Sequence, residues 1–251
     1  NASNGFCLRT LEGHTDAVQD VAFSEDGHLA VSVSLDGTLR VWDVRERKCD
    51  QVIEGHHGGV LGIAMDPPAL AAVTAGQDGI VKVWDVRARR CTHTIQGHQG
   101  PVNAICMTED CRVAISGGED RTLRVWHPGS GKLIATFEGH QAPVRAVAIS
   151  YNGKLAASCG LDRTVRLWDV ATGRCLNTLT GHAHETTGVA FPRDLKQMFS
   201  SSRDKKAAAW CLGITKDGHT APTIICHAVS SEAAQSMDKA FEGALASARK
   251  S

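Results

Sequence analysis

The chain has 251 residues, and its 27 basic and 27 acidic side chains cancel to a net charge of zero. This balance argues against binding to nucleic acid or to an anionic membrane through bulk charge. No stretch approaches the roughly 20 apolar residues that a membrane helix needs, and no basic-then-apolar leader is present. We therefore expect a soluble, cytoplasmic protein, with a nuclear location also open.

The nine cysteines do not form the pattern of a disulfide framework. Four of them, Cys7, Cys49, Cys91 and Cys175, are separated by multiples of 42 residues. An odd number without a Cys-x-x-Cys pair predicts reduced, mostly buried thiols and gives no support for a zinc site.

The spacing of 42 residues organises most of the chain. The octapeptide DGTLRVWD (36–43) returns as DGIVKVWD (78–85), DRTLRVWH (120–127), DRTVRLWD (162–169) and DKKAAAWC (204–211). Each copy has an Asp six residues before its Trp and follows a Gly-His pair, and a Ser or Thr lies four residues before each Asp. Self-similarity at a fixed period of this length predicts a repeat architecture.

Within each unit the apolar residues alternate with polar ones, as in half-buried strands. The first unit contains VQDVAFS, LAVSVS and TLRVWDV, followed by a fourth segment, CDQVIEGH. Four short antiparallel strands cannot bury both of their faces alone, so successive units are expected to stack around an axis.

These motifs resemble the WD40-repeat β-propellers, in which Gly-His is followed by Trp-Asp in units of about 40–45 residues. The resemblance covers residues 6–211 and implies an all-β fold of four-stranded antiparallel blades, with five clear repeats. In that family the Trp lies on the third strand from the axis. Each blade takes its outermost strand from the sequence before the next Gly-His.

The pattern weakens towards the C-terminus. The alanines of DKKAAAWC favour strands poorly, which indicates an edge or a strained blade. Residues 212–229 are interpreted as the degenerate start of a sixth repeat, because GHTAPTIICHAVS (218–230) is similar to GHQAPVRAVAIS (139–150). Residues 230–251 have helical spacing and predict a short C-terminal helix that either packs on the propeller or binds a partner.

Two ways of completing the ring remain open from the sequence. In one, residues Phe6–Leu11 supply the outer strand of the fifth blade and close a small ring. In the other, the five units are an arc of a larger ring that sequence outside the chain completes. An open blade edge invites aggregation, so a ring is expected to close in one of these ways.

The resemblance implies a structural role for four positions of each unit. In the family the indole N–H of the Trp bonds the hydroxyl, the hydroxyl contacts the His, and the turn Asp holds the His. The implied sets are Trp42, Ser32, His14 and Asp36; Trp84, Thr74, His56 and Asp78; Trp126, Ser116, His98 and Asp120; Trp168, Ser158, His140 and Asp162; and Trp210, Ser200, His182 and Asp204.

A Ser, a His and an Asp in one set also invite a hydrolase interpretation. In a nucleophilic triad the Ser is exposed and the His is free to take its proton, whereas here both are expected inside the blade. Five equivalent copies are typical of architecture, since an active site is normally needed once. We predict that the protein is not an enzyme and has no cofactor and no metal site.

Function is then expected where the repeats differ. In the family, partners contact positions three and five after the His and the position before the Asp. The partner-binding candidates carried over from these positions are Leu35, Leu61, Gln77, Asn103, Glu119, Arg145, Leu161 and Arg203. The leucines predict an apolar patch on the rim. Arg145 and Arg203, with Arg121, Arg163 and Lys205, make the third to fifth blades basic.

The predicted function is a scaffold that binds other proteins or peptides through the face formed by the Gly-His loops and the Asp turns. The basic side chains suit an acidic or phosphorylated peptide, because Arg pairs bidentately with phosphate. The alternatives are a regulatory or sensor propeller of a nucleotide-driven signalling protein and a phosphopeptide-recognition propeller that acts as a substrate adaptor. Binding to nucleic acid or to a membrane is not expected.

Overall fold

The computed structural model describes residues 7, 10–66, 71–192, 195–212 and 226–229. All regular structure within these residues is β. The strands in chain order are β1 Val18–Phe23, β2 Leu29–Ser34, β3 Thr38–Asp43, β4 Lys48–Glu54, β5 Val60–Met65, β6 Ala71–Gly76, β7 Ile80–Asp85, β8 Arg90–Gln96, β9 Val102–Met107, β10 Ala114–Gly118, β11 Leu123–His127, β12 Lys132–Phe137, β13 Val144–Ile149, β14 Leu155–Gly160, β15 Val165–Asp169, β16 Cys175–Leu179, β17 Thr186–Ala190, β18 Gln197–Ser202, β19 Ala207–Cys211 and β20 Cys226–Val229. The described part of the chain contains no helix with the length and apolar content that crossing a membrane requires.

Consecutive strands pair into five antiparallel sheets of four, which we call blades 1 to 5. Blade 1 contains β1–β4, and each later blade takes the next four strands in the same order. This confirms the predicted all-β fold of four-stranded antiparallel blades.

Burial changes across each blade from its second strand to its fourth. In blades 1 to 4 the second strand is the most enclosed, and every residue of β14, LAASCG, is buried. The fourth strand is mostly exposed or half-buried in blades 1 to 4, and in β4, KCDQVIE, the two alternate. Small and β-branched residues therefore occupy the centre of the blade, and polar side chains alternate on its outer strand.

Blades pack face to face in chain order. The trailing face of blade 1, formed by Val31, Val33, Leu39 and Val41, lies in one core with the leading face of blade 2, which includes Val60, Ile63 and Trp84. The next three junctions repeat this arrangement, with Trp126, Trp168 and Trp210 as the indole on the leading face. Burying one such indole contributes about 4–6 kcal/mol as an upper estimate.

The first strand of each blade is the innermost one. β1 packs beside β5, β5 beside β9, β9 beside β13 and β13 beside β17. This order confirms that the Trp-bearing strand is the third from the axis. The inner strands carry the Gly-His loop at their start, so these loops come together around the axis.

The outer strand of blade 5 differs from two expectations drawn from the sequence. One was that Phe6–Leu11 supplies this strand, and the other was that residues 212–229 begin a sixth repeat. Cys226–Val229 pairs with β19 as the fourth strand of this blade, and Ala207 lies opposite Val229. The strand-like part of the segment interpreted as a sixth repeat is thus used to finish the fifth blade. It also takes the place that Phe6–Leu11 would need in a small ring, and Cys7, Thr10 and Leu11 lie outside any strand. The predicted helix at 230–251 lies outside the described residues.

The cysteines are less buried than the sequence predicts. Cys159 is buried, whereas Cys49 and Cys175 are half-buried and Cys91 is exposed, each with a free thiol. Positions 49, 91 and 175 fall on or beside the outer strand, where one face meets solvent. Burial raises the pKa of Cys159 to about 11, which keeps it a protonated thiol.

Replacement of Phe137 tests the packing between blades 3 and 4. Phe137 is fully buried and stacks on Trp168, with ring centroids 5.5 Å apart. We expect Phe137→Ala to lower the free energy of unfolding by about 3–5 kcal/mol because it leaves a cavity in this core. Denaturant unfolding measures the change. Leu133→Ala on the same strand is the control, since Leu133 is exposed and its loss should cost less than about 1 kcal/mol.

Candidate functional site

The structure brings together the four implied residues in every blade. In blade 4 the Trp168 Nε1–H donates to Ser158 Oγ at 2.8 Å, and Ser158 Oγ lies 2.7 Å from His140 Nε2. The His140 Nδ1 lies 2.8 Å from Asp162 Oδ2. The other four blades repeat this chain of bonds at 2.7–3.0 Å.

The bond directions follow from the donors available. An indole N–H only donates, so the Ser158 oxygen accepts from Trp168 and its own proton points to His140 Nε2. The remaining proton of a neutral imidazole is then on Nδ1 and is donated to Asp162. Ser158 is completely buried, so its hydroxyl is enclosed and already engaged. These sets hold the blade together and offer no accessible nucleophile.

The turn Asp also orders the backbone around it. Asp36 Oδ2 accepts from the Thr15 N–H at 3.0 Å, and Oδ1 accepts from both the N–H and the hydroxyl of Thr38. Thr122 and Thr164 make the same contacts with their turn Asp. The sequence reasoning missed these threonines, although a Thr lies two residues after the Asp in three of the five repeats.

The pKa values agree with a neutral His and an ionised Asp. Burial by itself would raise the pKa of Asp162, but hydrogen bonds from the His140 ring and the Gln141 N–H hold it well below its ordinary value. Burial lowers the pKa of His56 and His98, and this effect outweighs the opposing influence of Asp78 and Asp120. The imidazoles of His56 and His98 are therefore neutral at pH 7.

One backbone bond in each blade joins the Gly-His loop to the Asp turn. The N–H of the residue before the Asp donates to the carbonyl oxygen of the residue three after the His. In blade 4 the Leu161 N–H donates to Pro143 O at 2.9 Å. The same bond joins Ala17 to Leu35 and Glu185 to Arg203. The candidate positions before the Asp consequently lie beside those after the His, all on one end of the blades. We call this end the loop face.

A depression of about 310 Å³ lies where the loop face meets the axis. Its wall contains the residue five after the His from every blade, namely Gln19, Leu61, Asn103, Arg145 and Thr187. Leu161, Glu185, Thr186 and Arg203 complete it. The structure thus assembles five of the predicted partner-binding residues, Leu61, Asn103, Arg145, Leu161 and Arg203, around one cavity.

The other three candidates line the junctions between blades. Gln77 accepts the Gly59 N–H through Oε1 at 3.0 Å, and Leu35 lies against Gly59 from the preceding blade. Glu119 accepts from Asn103 Nδ2 at 3.1 Å, and the same amide donates to the Val144 carbonyl of the next blade at 2.9 Å. These residues shape the loop face, although they do not line the depression.

The predicted apolar patch is smaller than expected. Leu35, Leu61 and Leu161 are all half-buried, and Leu35 packs against Gly59 of the next blade. The large apolar side chains that are exposed, such as Val18, Phe23 and Tyr151, lie at other places. The character of the loop face is therefore set by its polar and charged side chains.

The residue after the turn Asp has a positive φ in every blade. Blades 1 and 2 have glycine there, Gly37 and Gly79, whereas blades 3 to 5 have Arg121, Arg163 and Lys205 with φ of 64–67°. The left-handed conformation costs about 1–2 kcal/mol for a residue with a Cβ. The sequence reasoning identified these cations but did not recognise that the backbone is strained at each of them.

The described residues contain no group of three or more His, Cys, Asp or Glu side chains placed to hold a metal ion. His57 and His184 are exposed loop residues.

The fold and the five bonded sets define a WD40 propeller assembly, and comparison with known families gives the same result. The family model "WD domain, G-beta repeat" matches residues 5–43, 47–85, 89–127, 131–169 and 173–211. These segments cover more than half of the chain. The chain belongs to the WD40-repeat family.

Individual relatives match over about the length of one repeat. "Nuclear distribution protein PAC1" of Arthroderma benhamiae is 50% identical over 44 residues, which are 18% of this chain and 10% of that protein. "WD repeat-containing protein pop1" of Schizosaccharomyces pombe is 53% identical over 47 residues, 19% of this chain and 6% of that protein. "Small ribosomal subunit protein RACK1" of Dictyostelium discoideum is 52% identical over 42 residues, 17% and 13% of the two chains. The matched segments span about a tenth of the length of these curated relatives.

Loss of one turn Asp should leave a buried imidazole without its acceptor. We expect Asp162→Ala to lower the free energy of unfolding by about 1–3 kcal/mol, because His140 Nδ1–H and the Gln141 N–H lose their partner. Denaturant unfolding is the measurement. Glu138→Ala, at an exposed position one residue before Gly139, is the control and should change it by less than about 0.5 kcal/mol. Equal stability of the two variants would contradict the role given to Asp162.

Stability should also fall in mild acid. The pKa of His56 and of His98 is lower in the folded chain than the ordinary value of about 6.5, so the unfolded chain binds more protons as the pH drops below that value. We therefore expect the unfolding temperature to fall between about pH 7 and pH 5. The depressed pKa of Asp162 continues the loss at lower pH, below its ordinary value of 3.8.

A His56→Gln, His98→Gln variant identifies the source of this dependence. It should unfold at a lower temperature at neutral pH, yet lose less further stability on acidification than the wild-type chain. An unchanged slope of unfolding temperature against pH would show that other groups cause the effect.

Proposed function

We propose that this protein is a non-enzymatic scaffold whose loop face binds an acidic or phosphorylated segment of another protein. WD40-repeat proteins generally act as protein-interaction scaffolds. The single observation that carries the finer proposal is the replacement of glycine by Arg121, Arg163 and Lys205 at a left-handed turn position in blades 3 to 5.

Strain at these positions favours a binding role. Glycine adopts this conformation without a steric penalty, and blades 1 and 2 use it. Residues held in costly backbone conformations cluster at functional sites, where the side chain is needed for something other than folding. Arg47 and Arg89 adopt the same conformation at the opposite end of blades 1 and 2, so strain by itself does not mark a site. The cations of blades 3 to 5 differ because they lie on the loop face, whose depression is lined by Arg145 and Arg203, and this position favours a requirement for positive charge there.

The charges around the depression support an anionic ligand. Arg145 and Arg203 are exposed in its wall, and Arg121 and Arg163 lie on the adjacent turns. The Arg203 guanidinium pairs with the Glu185 carboxylate at 3.3 Å. A carboxylate of the ligand can take the place of Glu185 in this ion pair. Guanidinium groups bond carboxylate and phosphate bidentately, which gives the face its preference for such groups.

The bonded sets also support a function without catalysis. The hydroxyls of Thr74, Ser116 and Ser158 are fully buried and each bonds both an indole and an imidazole. A hydroxyl in this setting has no access to a substrate.

Restoring glycine at the strained turns tests the proposal. In the triple variant Arg121→Gly, Arg163→Gly, Lys205→Gly the charge is lost while the backbone conformation becomes favourable. We expect the unfolding temperature to stay the same or rise slightly, and the affinity for a labelled peptide of Glu, Ser and Gly to fall at least about tenfold. Fluorescence anisotropy measures binding, with the same peptide carrying phosphoserine as the second probe.

A matched control removes two cations in the same conformation from the opposite end of the blades. Arg47 and Arg89 have φ of 61° and 56° and lie in the turns between the third and fourth strands of blades 1 and 2. Arg47→Gly, Arg89→Gly should leave peptide binding unchanged. If both variants bind alike, or if the wild-type chain binds neither peptide, the proposed acidic ligand is wrong.

A further inference from the structure

The two arginines in the wall of the loop-face depression differ in what holds them. Arg203 Nη1 lies 3.3 Å from Glu185 Oε2, and both side chains line the depression. Arg145 is exposed in the same wall and makes no ion pair with any other residue that the structure describes. One guanidinium is therefore open to a ligand, whereas the other already has a carboxylate beside it.

The pair between Arg203 and Glu185 is supported by the backbone of blade 5. The Arg203 N–H donates to the Glu185 carbonyl at 2.9 Å, so the two side chains leave neighbouring points of the loop face. The side chain of Glu185 is 30% exposed, compared with 60% for Arg203. Because the carboxylate is the more enclosed partner, the pair is screened by salt less than a fully exposed one.

No other described blade has an ion pair at these two positions. The same backbone bond joins Ala17 to Leu35, Gly59 to Gln77, Pro101 to Glu119 and Pro143 to Leu161. In each of these blades at least one of the two residues is uncharged. Since four blades form the same turn without opposite charges, the pair in blade 5 is not required to hold the loop to the turn. Its effect is on the depression that both side chains line.

We propose that Glu185 competes with the acidic ligand for Arg203, so that Arg145 is the main contact of the ligand. This inference rests on the proposed binding of an acidic segment to the loop face. A ligand carboxylate that bonds Arg203 displaces the Glu185 carboxylate, and the exchange of one carboxylate for another gains little. At Arg145 the ligand forms a bidentate bond without displacing a carboxylate of the described residues. Removal of Glu185 makes Arg203 a second contact.

A double-mutant cycle between Glu185 and Arg203 tests the competition. We expect Glu185→Gln to raise the affinity for the labelled peptide of Glu, Ser and Gly about three- to fivefold, because Arg203 is released. Arg203→Gln should lower the affinity less than about twofold in the original chain, but about three- to fivefold in the Glu185→Gln chain. Arg145→Gln should lower it at least about tenfold in both chains. Fluorescence anisotropy in about 0.15 M salt is the measurement, since this salt weakens the influence of distant charges.

Glu119→Gln is the matched control for the loss of one negative charge from the loop face. The Glu119 carboxylate accepts from Asn103 Nδ2, and a glutamine oxygen can keep that bond. In the Glu119→Gln chain, Arg203→Gln should still cost less than about twofold in affinity. Equal costs of Arg203→Gln in the original and the Glu185→Gln chains would show that Glu185 does not compete, and would overturn the proposal.

Chemical labelling compares the two guanidinium groups without any ligand. Phenylglyoxal condenses with arginine side chains, and an ion pair slows this reaction because the guanidinium is held by its partner. We expect Arg145 to be labelled at least about twofold faster than Arg203, and Glu185→Gln to remove the difference. Mass spectrometry of the digested chain measures both rates.

The outcomes separate the inference from the proposed function. If the original chain binds neither the acidic peptide nor its phosphoserine form, the proposed function is wrong and the competition is wrong with it. If the original chain binds the peptide but Arg145 and Arg203 are labelled at equal rates, or contribute equally to binding, the role given to Glu185 is wrong while the proposed function stands.

Discussion

The buried indole N–H of the repeated Trp is the constraint on which the rest of the structure depends. The indole fills the junction between two blades, and burial of its N–H is tolerated only because a hydroxyl on the second strand accepts its hydrogen. That hydroxyl needs the imidazole, and the imidazole needs the turn carboxylate. One packing requirement therefore fixes a strand, a loop and a turn in each blade. Because every member of the chain has a partner, the sets are cooperative and rigid.

This rigidity places the variable residues. The Asp turn and the Gly-His loop are tied to the same core, and a backbone bond such as Leu161 N to Pro143 O joins them directly. Side chains that differ between repeats are thereby presented in a fixed arrangement around the axis. The repeated residues hold the scaffold, and the unrepeated ones, such as Arg145 and Asn103, give the loop face its chemistry.

The sequence by itself determined the blade. Its period of 42 residues, the alternation within each unit and the position of Trp, Ser or Thr, His and Asp were sufficient, because these are local patterns repeated five times. What only the tertiary structure decided depends on contacts between distant segments. Cys226–Val229 completes blade 5 because a strand pairs with whichever edge is free, a choice that no local pattern encodes. The half-burial of Leu35 and Leu61, the strain at Arg121 and the exposure of Val18 likewise follow from neighbours and backbone angles, which the periodicity of a sequence does not contain.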